Sequence, residues 1–352
     1  MGWLANGKML SVRLLSPTLI SAMRTHLRAV SQVFVVLVGL LLAAGTGAAQ
    51  SVQPKGGSTL TSSPKPLPNG PLAFQTSDSV QLFVKVAGQG LPCVVVHGGP
   101  GAGSYGLEKL GLQPLENQLQ LIYLDQRGSG RSASAPRHDY RLARQVQDLE
   151  ELRLRLGLRR WVLLAHSFGG VIATAYAQRY PERVQALILV NAVLNPPASL
   201  ASMVHYGDSL LPAAARPALP AGAPLPQQLG AVMQALGQRQ LTYQLQYTSD
   251  TAAARASRVV RQVPSNHDFA AHVFDFADYG QDLAPATARL TMPVLVLAGH
   301  DDYTAGPASY RAWRFPQQRV VVLPGRHNLL QEQPAASQQA VRTFVAALPT
   351  RR

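Results

Sequence analysis

The stretch WVLLAHSFGGVIATAYA, residues 161–177, runs from a continuous apolar segment into a helical pattern with almost nothing between them. Such a passage confines the chain to a strand followed at once by a helix, and it puts Ser167 at the turn. Ala165 lies two residues before the serine and Gly169 two after it. A turn this tight strains the backbone of its central residue and lifts the hydroxyl clear of the sheet, so the flanking positions must be small. Alanine stands where glycine is usual, and a methyl group still fits. Taken alone, the same serine could simply N-cap the helix.

The rest of the chain extends the alternation. Leu82 to Ala87, Cys93 to Val96, Leu121 to Leu124, Trp161 to Ala165, Ala186 to Val190, Val294 to Ala298 and Arg319 to Leu323 are short apolar or β-branched runs closed by glycine or polar turns, as buried strands are. Helical spacing predicts helices over Tyr140 to Leu156, Val171 to Arg179, Ser309 to Arg314 and Ala335 to Leu348. The prediction is an α/β fold, a mostly parallel sheet with helices on both faces. Between residues 195 and 288 the rhythm lapses into a Pro/Ala-rich stretch, Pro212 to Pro226, and several helical patterns. This segment reads as an inserted, mainly helical lid dividing the core into residues 71–194 and 289–352. A chain of 352 residues that is 47% hydrophobic can bury such a core.

Ahead of the core the chain reads as an address. Arg24, His26 and Arg28 precede the apolar run Val33 to Ala44, which gives way to the small residues Gly45 to Ala49. That order is secretory and predicts a signal peptide over residues 1–49, cleaved after Ala49, and an exported protein. Met23 is an alternative start. The apolar run is short of the roughly 20 residues of a membrane span; an uncleaved anchor in the inner membrane is the alternative, and only then would the chain touch a membrane. Residues 50–70, rich in Pro, Gly, Ser and Thr, read as a flexible linker. The formal charge of +14 includes Lys8, Arg13, Arg24 and Arg28 of the leader, and the remaining excess is scattered arginine. No basic stripe interleaved with aromatics stands out, which argues against a nucleic-acid partner. Cys93 is the sole cysteine, so an intrachain disulfide and a cysteine-built metal site are excluded.

Two further strand ends carry chemistry. PVLVLAGHDDYTAGP, residues 293–307, closes a strand with Gly299-His300-Asp301-Asp302, and VVVLPGRHNLLQEQP, residues 320–334, closes the next with Gly325-Arg326-His327. Ser167, Asp302 and His327 then each stand at the carboxyl end of a predicted strand, in the chain order of an α/β-hydrolase triad. Asp302 is preferred as the acid because it is third after the turn glycine; Asp301 is the fallback. Acyl transfer also needs N–H donors aimed at the developing oxyanion. The Phe168 amide is one candidate. HGGPG, residues 97–101, follows the strand Cys93 to Val96 and supplies the other, Gly99 first and Gly98 next, because glycines let backbone approach a substrate closely. His97 holds the loop. A small molecule or short peptide is the expected substrate, and no cofactor or metal is required.

Together HGGPG, DQRGSGRS (residues 125–132), AHSFGG (residues 165–170) and the Asp and His strand ends resemble the proline iminopeptidases and their relatives among α/β-hydrolase serine peptidases. The resemblance spans about residues 72 to 348, most of the lid excepted. It implies an α/β-hydrolase fold and an aminopeptidase that releases N-terminal residues from small peptides, with Asp125, Arg127 and Arg131 in a hydrogen-bonded loop beside the site. A carboxylesterase and a non-catalytic ligand-binding relative are the alternatives. It also implies lid glutamates that hold the substrate's free amine, yet no Glu occurs between Glu182 and Glu332, so aspartates would have to serve. In SNHDFAAHVFDFADYG, residues 265–280, Asp268, His272 and Asp275 fall on one face if the segment is a helix. Asp268 and Asp275 are the candidate amine ligands; a solvated polar face is the plainer alternative, and a metal site of the three residues a further one.

Overall fold

Eight strands form one sheet in the computed structural model, which describes residues 67–349. They are β1 (Gly70–Gln75), β2 (Gln81–Gly88), β3 (Leu91–Val96), β4 (Leu119–Leu124), β5 (Trp161–His166), β6 (Val184–Val190), β7 (Val294–Gly299) and β8 (Gln318–Leu323), ordered β1-β2-β4-β3-β5-β6-β7-β8. β2 runs antiparallel to β1 and β4, and every later pairing is parallel. The fold is that of an α/β-hydrolase. The leader, and residues 50–66 of the linker, lie outside the described residues. No helix among the described residues is long and apolar enough to cross a membrane.

Alternate side chains of the central strands serve opposite faces. Leu163 and Ala165 of β5 join Val94, Val96, Leu187 and Leu189 beneath α1 (Leu142–Arg155) and α2 (Gly169–Arg179). Val162 and Leu164 join Cys93, Val95, Ile188 and Leu297 on the other face, against Leu112, Leu115, Val341 and Phe344. Between β6 and β7 the chain makes an excursion through α3 (Pro196–Ser209), α4 (Leu225–Gln238), α5 (Asp250–Val260) and the short α6 (Asp268–His272). α3 and α4 close on a small core of their own, built on Met203, Leu229, Val232 and Leu236. The last helix is α7 (Pro334–Ala346).

One sequence expectation is corrected, and two other segments depart from what local pattern alone suggests. β1, at the start of the expected core, does not stand out as a strand in the sequence, because Pro71 and the few inward residues, chiefly Leu72 and Phe74, leave a weak alternation. Its approach is fixed by Gln120, whose side chain exchanges hydrogen bonds with the Leu67 main chain at 3.2 and 2.7 Å. Ser309 to Arg314 forms only a short 3₁₀ turn, Ser309–Ala312, hemmed in by Pro307 and Pro316. The segment around Asp268 is helical for five residues rather than throughout, with consequences for the site below.

Candidate active site

The parallel register aligns the carboxyl ends of the central strands. Val96 pairs with Ala165, His166 with Val190, Val190 with Leu297, and Gly299 with Leu323. Whatever follows β3, β5, β6, β7 and β8 therefore meets along one edge, at the crevice where strand order reverses between β3 and β5.

Ser167 leaves β5 with φ 54°, the left-handed conformation that a non-glycine residue adopts only when its surroundings impose it. The tight turn is possible because α2 starts at once and Gly169 lies against β3: a Cβ there would stand 2.2 Å from the Val96 carbonyl oxygen. Alanine is tolerated at 165 because that residue still belongs to the strand. The Ser167 hydroxyl donates to His327 Nε2 at 2.7 Å, and His327 Nδ1 donates to Asp302 Oδ1 at 2.9 Å. A carboxylate can only accept, so Nδ1 carries the proton and Nε2 is left with its lone pair toward the hydroxyl. Asp302 Oδ1 also accepts from the amides of Thr304 and Ala305 at 3.0 and 2.9 Å. Asp301 turns away and pairs with His300 at the surface.

The loop after β3 is equally constrained. Gly98 packs on the nucleophile so tightly that a Cβ would lie 2.6 Å from that of Ser167, and Gly99 has φ 121°, which strongly favours glycine. The amides of Phe168, Gly98 and Gly99 have no backbone partner among the described residues. His97 Nε2 accepts from the Gln126 amide at 3.0 Å, which leaves Nδ1–H to donate to the Gly98 carbonyl at 2.9 Å, while the Gln126 side chain donates to the His97 carbonyl at 2.8 Å. Burial lowers the His97 pKa and keeps the imidazole neutral. Asp125 accepts from both the amide and the hydroxyl of Ser104 at 2.6 Å and pairs with Arg131 at 2.7 Å. Burial alone would raise its pKa; the Arg131 bond and neighbouring charges hold it down. Arg127, fully buried, is paired with Asp148 and Asp78. Asp125 and Arg131 thus brace the segment after β3 through Ser104, while Arg127 ties its own loop to α1 and to the turn between β1 and β2.

Sequence reasoning missed two side chains. Asn191, just past β6 with φ 43°, donates to the carbonyls of Arg326 and His327 at 2.7 and 2.8 Å and accepts from the Gly299 amide at 2.7 Å. His166 donates from Nε2 to the same His327 carbonyl at 3.1 Å; burial, reinforced by nearby His327, pushes its pKa down to about 4. A polar residue directly after a predicted strand was the available signal in both cases, but turns carry the same one.

A cavity of about 380 Å³ opens over Ser167 and His327. Its walls come from the HGGPG loop, Leu107, Tyr243, Tyr247 and, on α5, Ala253, Ala254, Ala256, Ser257 and Val260. Among the described residues no Asp, Glu, Lys or Arg lines it. The expectation for Asp268 and Asp275 is therefore corrected. α6 ends at His272, so Asp275 falls on a separate 3₁₀ turn and is exposed, while Asp268 is engaged by Tyr140 and His138 outside the cavity.

The model of the alpha/beta hydrolase fold family matches residues 92–334. A proline iminopeptidase of Neisseria gonorrhoeae is 34% identical over 142 residues, 38% of this chain and 44% of that protein. A probable proline iminopeptidase of Streptomyces coelicolor is 38% identical over 132 residues, 36% of this chain and 40% of its own length. The chain thus spans less than half the length of these curated relatives. A proline iminopeptidase-related protein of Thermus thermophilus superposes with a TM-score of 0.65 at 27% identity, covering 80% of this chain and 99% of that one.

Proposed function

The chain belongs to the α/β-hydrolase family, and on that premise we propose that it is a serine hydrolase working through an acyl-enzyme on Ser167. The observation that carries the reading is the unbroken relay from Asp302 through His327 to a serine held in a strained turn. Ser167 Oγ attacks the acyl carbonyl as its proton passes to His327 Nε2, and Asp302 steadies the imidazolium that results. The Phe168 amide, with that of Gly99 or Gly98, receives the developing oxyanion. His327 returns the proton to the leaving group, and water repeats the sequence to release the acid.

The cavity wall supports an uncharged acyl group. An ammonium entering it would lose its water without gaining a carboxylate, so small carboxylic esters are the substrates we assign first. A second reading, an aminopeptidase of the proline iminopeptidase type, is favoured by the names of the relatives and by the HGGPG and DQRGSGRS motifs. One assay separates them. Short acyl p-nitrophenyl esters should be cleaved far more efficiently than free-amine amino-acid arylamides, and N-acetylation of the arylamides should not lower their turnover. Preference for free-amine arylamides, abolished by N-acetylation, would replace the esterase reading with the aminopeptidase.

A further inference from the structure

Behind the cavity wall, three residues from two distant parts of the chain converge. His138 ends a turn between β4 and α1, while Asp268 and His272 are the first and last residues of α6. His138 Nδ1 stands 3.0 Å from Asp268 Oδ2, and His272 Nδ1 stands 3.2 Å from Asp268 Oδ1. The two imidazoles are stacked with centroids 3.9 Å apart. One ligand atom from each of the three lies within 4.8 Å of the others. The spacing within 265–280 pointed to Asp268, His272 and Asp275, but the fold puts His138 in the place of Asp275.

We propose that His138, Asp268 and His272 form a binding site for a divalent ion of the zinc class, joining the turn ahead of α1 to the last helix of the β6–β7 excursion. Zinc bonds of about 2.0–2.2 Å to nitrogen and oxygen put tetrahedral ligand atoms roughly 3.3–3.5 Å apart. The separations of 3.0 and 3.2 Å are to different oxygens of the Asp268 carboxylate, and coordination requires the two stacked rings to turn so that both Nδ1 atoms and one of those oxygens face a single ion. Without an ion, His138 directs its Nδ1 proton at the Asp268 carboxylate, while His272 donates from Nδ1 to the Asp268 main-chain carbonyl. When the ion binds, each ring presents a bare Nδ1 to it and carries a proton on Nε2, and His272 gives up its 2.8 Å bond to the Asp268 carbonyl. The Tyr140 hydroxyl donates to Asp268 Oδ2 and orients the carboxylate, as outer partners of metal ligands do. Two imidazoles and one carboxylate suit zinc, nickel or copper rather than magnesium. His138 is half-exposed, which gives the ion a way in, and it is presented by two successive non-glycine residues in the left-handed region, Arg137 at φ 54° and His138 at φ 52°.

The site is separate from the catalytic relay, so its test does not depend on the proposed reaction. The full chain, stripped with a chelator, is titrated calorimetrically with zinc chloride and with magnesium chloride. One zinc equivalent should bind in the micromolar range or tighter, magnesium should not bind, and zinc should raise the melting temperature. His138→Gln, His272→Gln and Asp268→Asn should each weaken zinc binding by about tenfold or more, whereas His205→Gln, an exposed histidine on α3, should not. Circular dichroism establishes that the variants are folded. Absence of zinc binding to the native chain, or binding of native strength in both His138→Gln and His272→Gln, would overturn the proposal.

Discussion

Asn191 holds the main chain of His327 in place while Asp302 holds its ring. Its three hydrogen bonds tie the end of β7 to the loop after β8, and with His166 it leaves the His327 carbonyl doubly engaged. Asn191→Ala should therefore loosen the imidazole relative to Ser167 without touching the cavity. Since a misplacement of about 1 Å can cost on the order of 10²-fold, kcat should fall roughly ten- to a hundredfold while KM stays within about twofold. Steady-state kinetics, normalised to sites titrated with a fluorophosphonate, check this. A lower melting temperature with unchanged kcat per titrated site would reduce Asn191 to a structural role. At this scale the sequence was readable where chemistry dictates residue type and order, as at Ser167, Asp302 and His327. It was not readable for Asn191, whose partners are main-chain atoms more than a hundred residues away.

At the scale of elements, β3 and β5 each lead into a buried histidine, His97 and His166, that burial keeps neutral. In the unfolded chain both imidazoles take up a proton near pH 6.5, whereas His166 in the folded chain does so only at about pH 4. The unfolded state therefore binds more protons across that window, and stability falls as pH drops from about 6.5 toward 4. For His166 alone the loss is on the order of 3 kcal/mol. Denaturant midpoints measured from pH 7 to 4.5 should decline, and His166→Gln should decline less steeply; a flat profile in the native chain would contradict this account. The strands were legible because each is a continuous apolar run between turns. β1, with its proline, and the 3₁₀ turn at Ser309–Ala312 were not, because neighbours rather than local pattern decide them. The i, i+4, i+7 spacing of Asp268, His272 and Asp275 misled for a related reason: periodicity assumes a continuous helix, and α6 lasts five residues.

Across the whole molecule, residues 98, 167, 191, 302 and 327 meet because parallel strands in register end along one edge of the sheet. Order along the chain was enough to suggest that meeting, whereas the character of the cavity was not, since its walls are drawn from loops and helices whose packing no local pattern encodes. The central claim is that Ser167 is an activated nucleophile. Its most direct test is labelling of the folded protein with a fluorophosphonate, followed by peptide mass spectrometry. The account predicts one phosphonyl adduct, on Ser167, formed orders of magnitude more slowly in His327→Ala and absent in Ser167→Ala. An unlabelled Ser167, or labelling that proceeds at the native rate in His327→Ala, would contradict it.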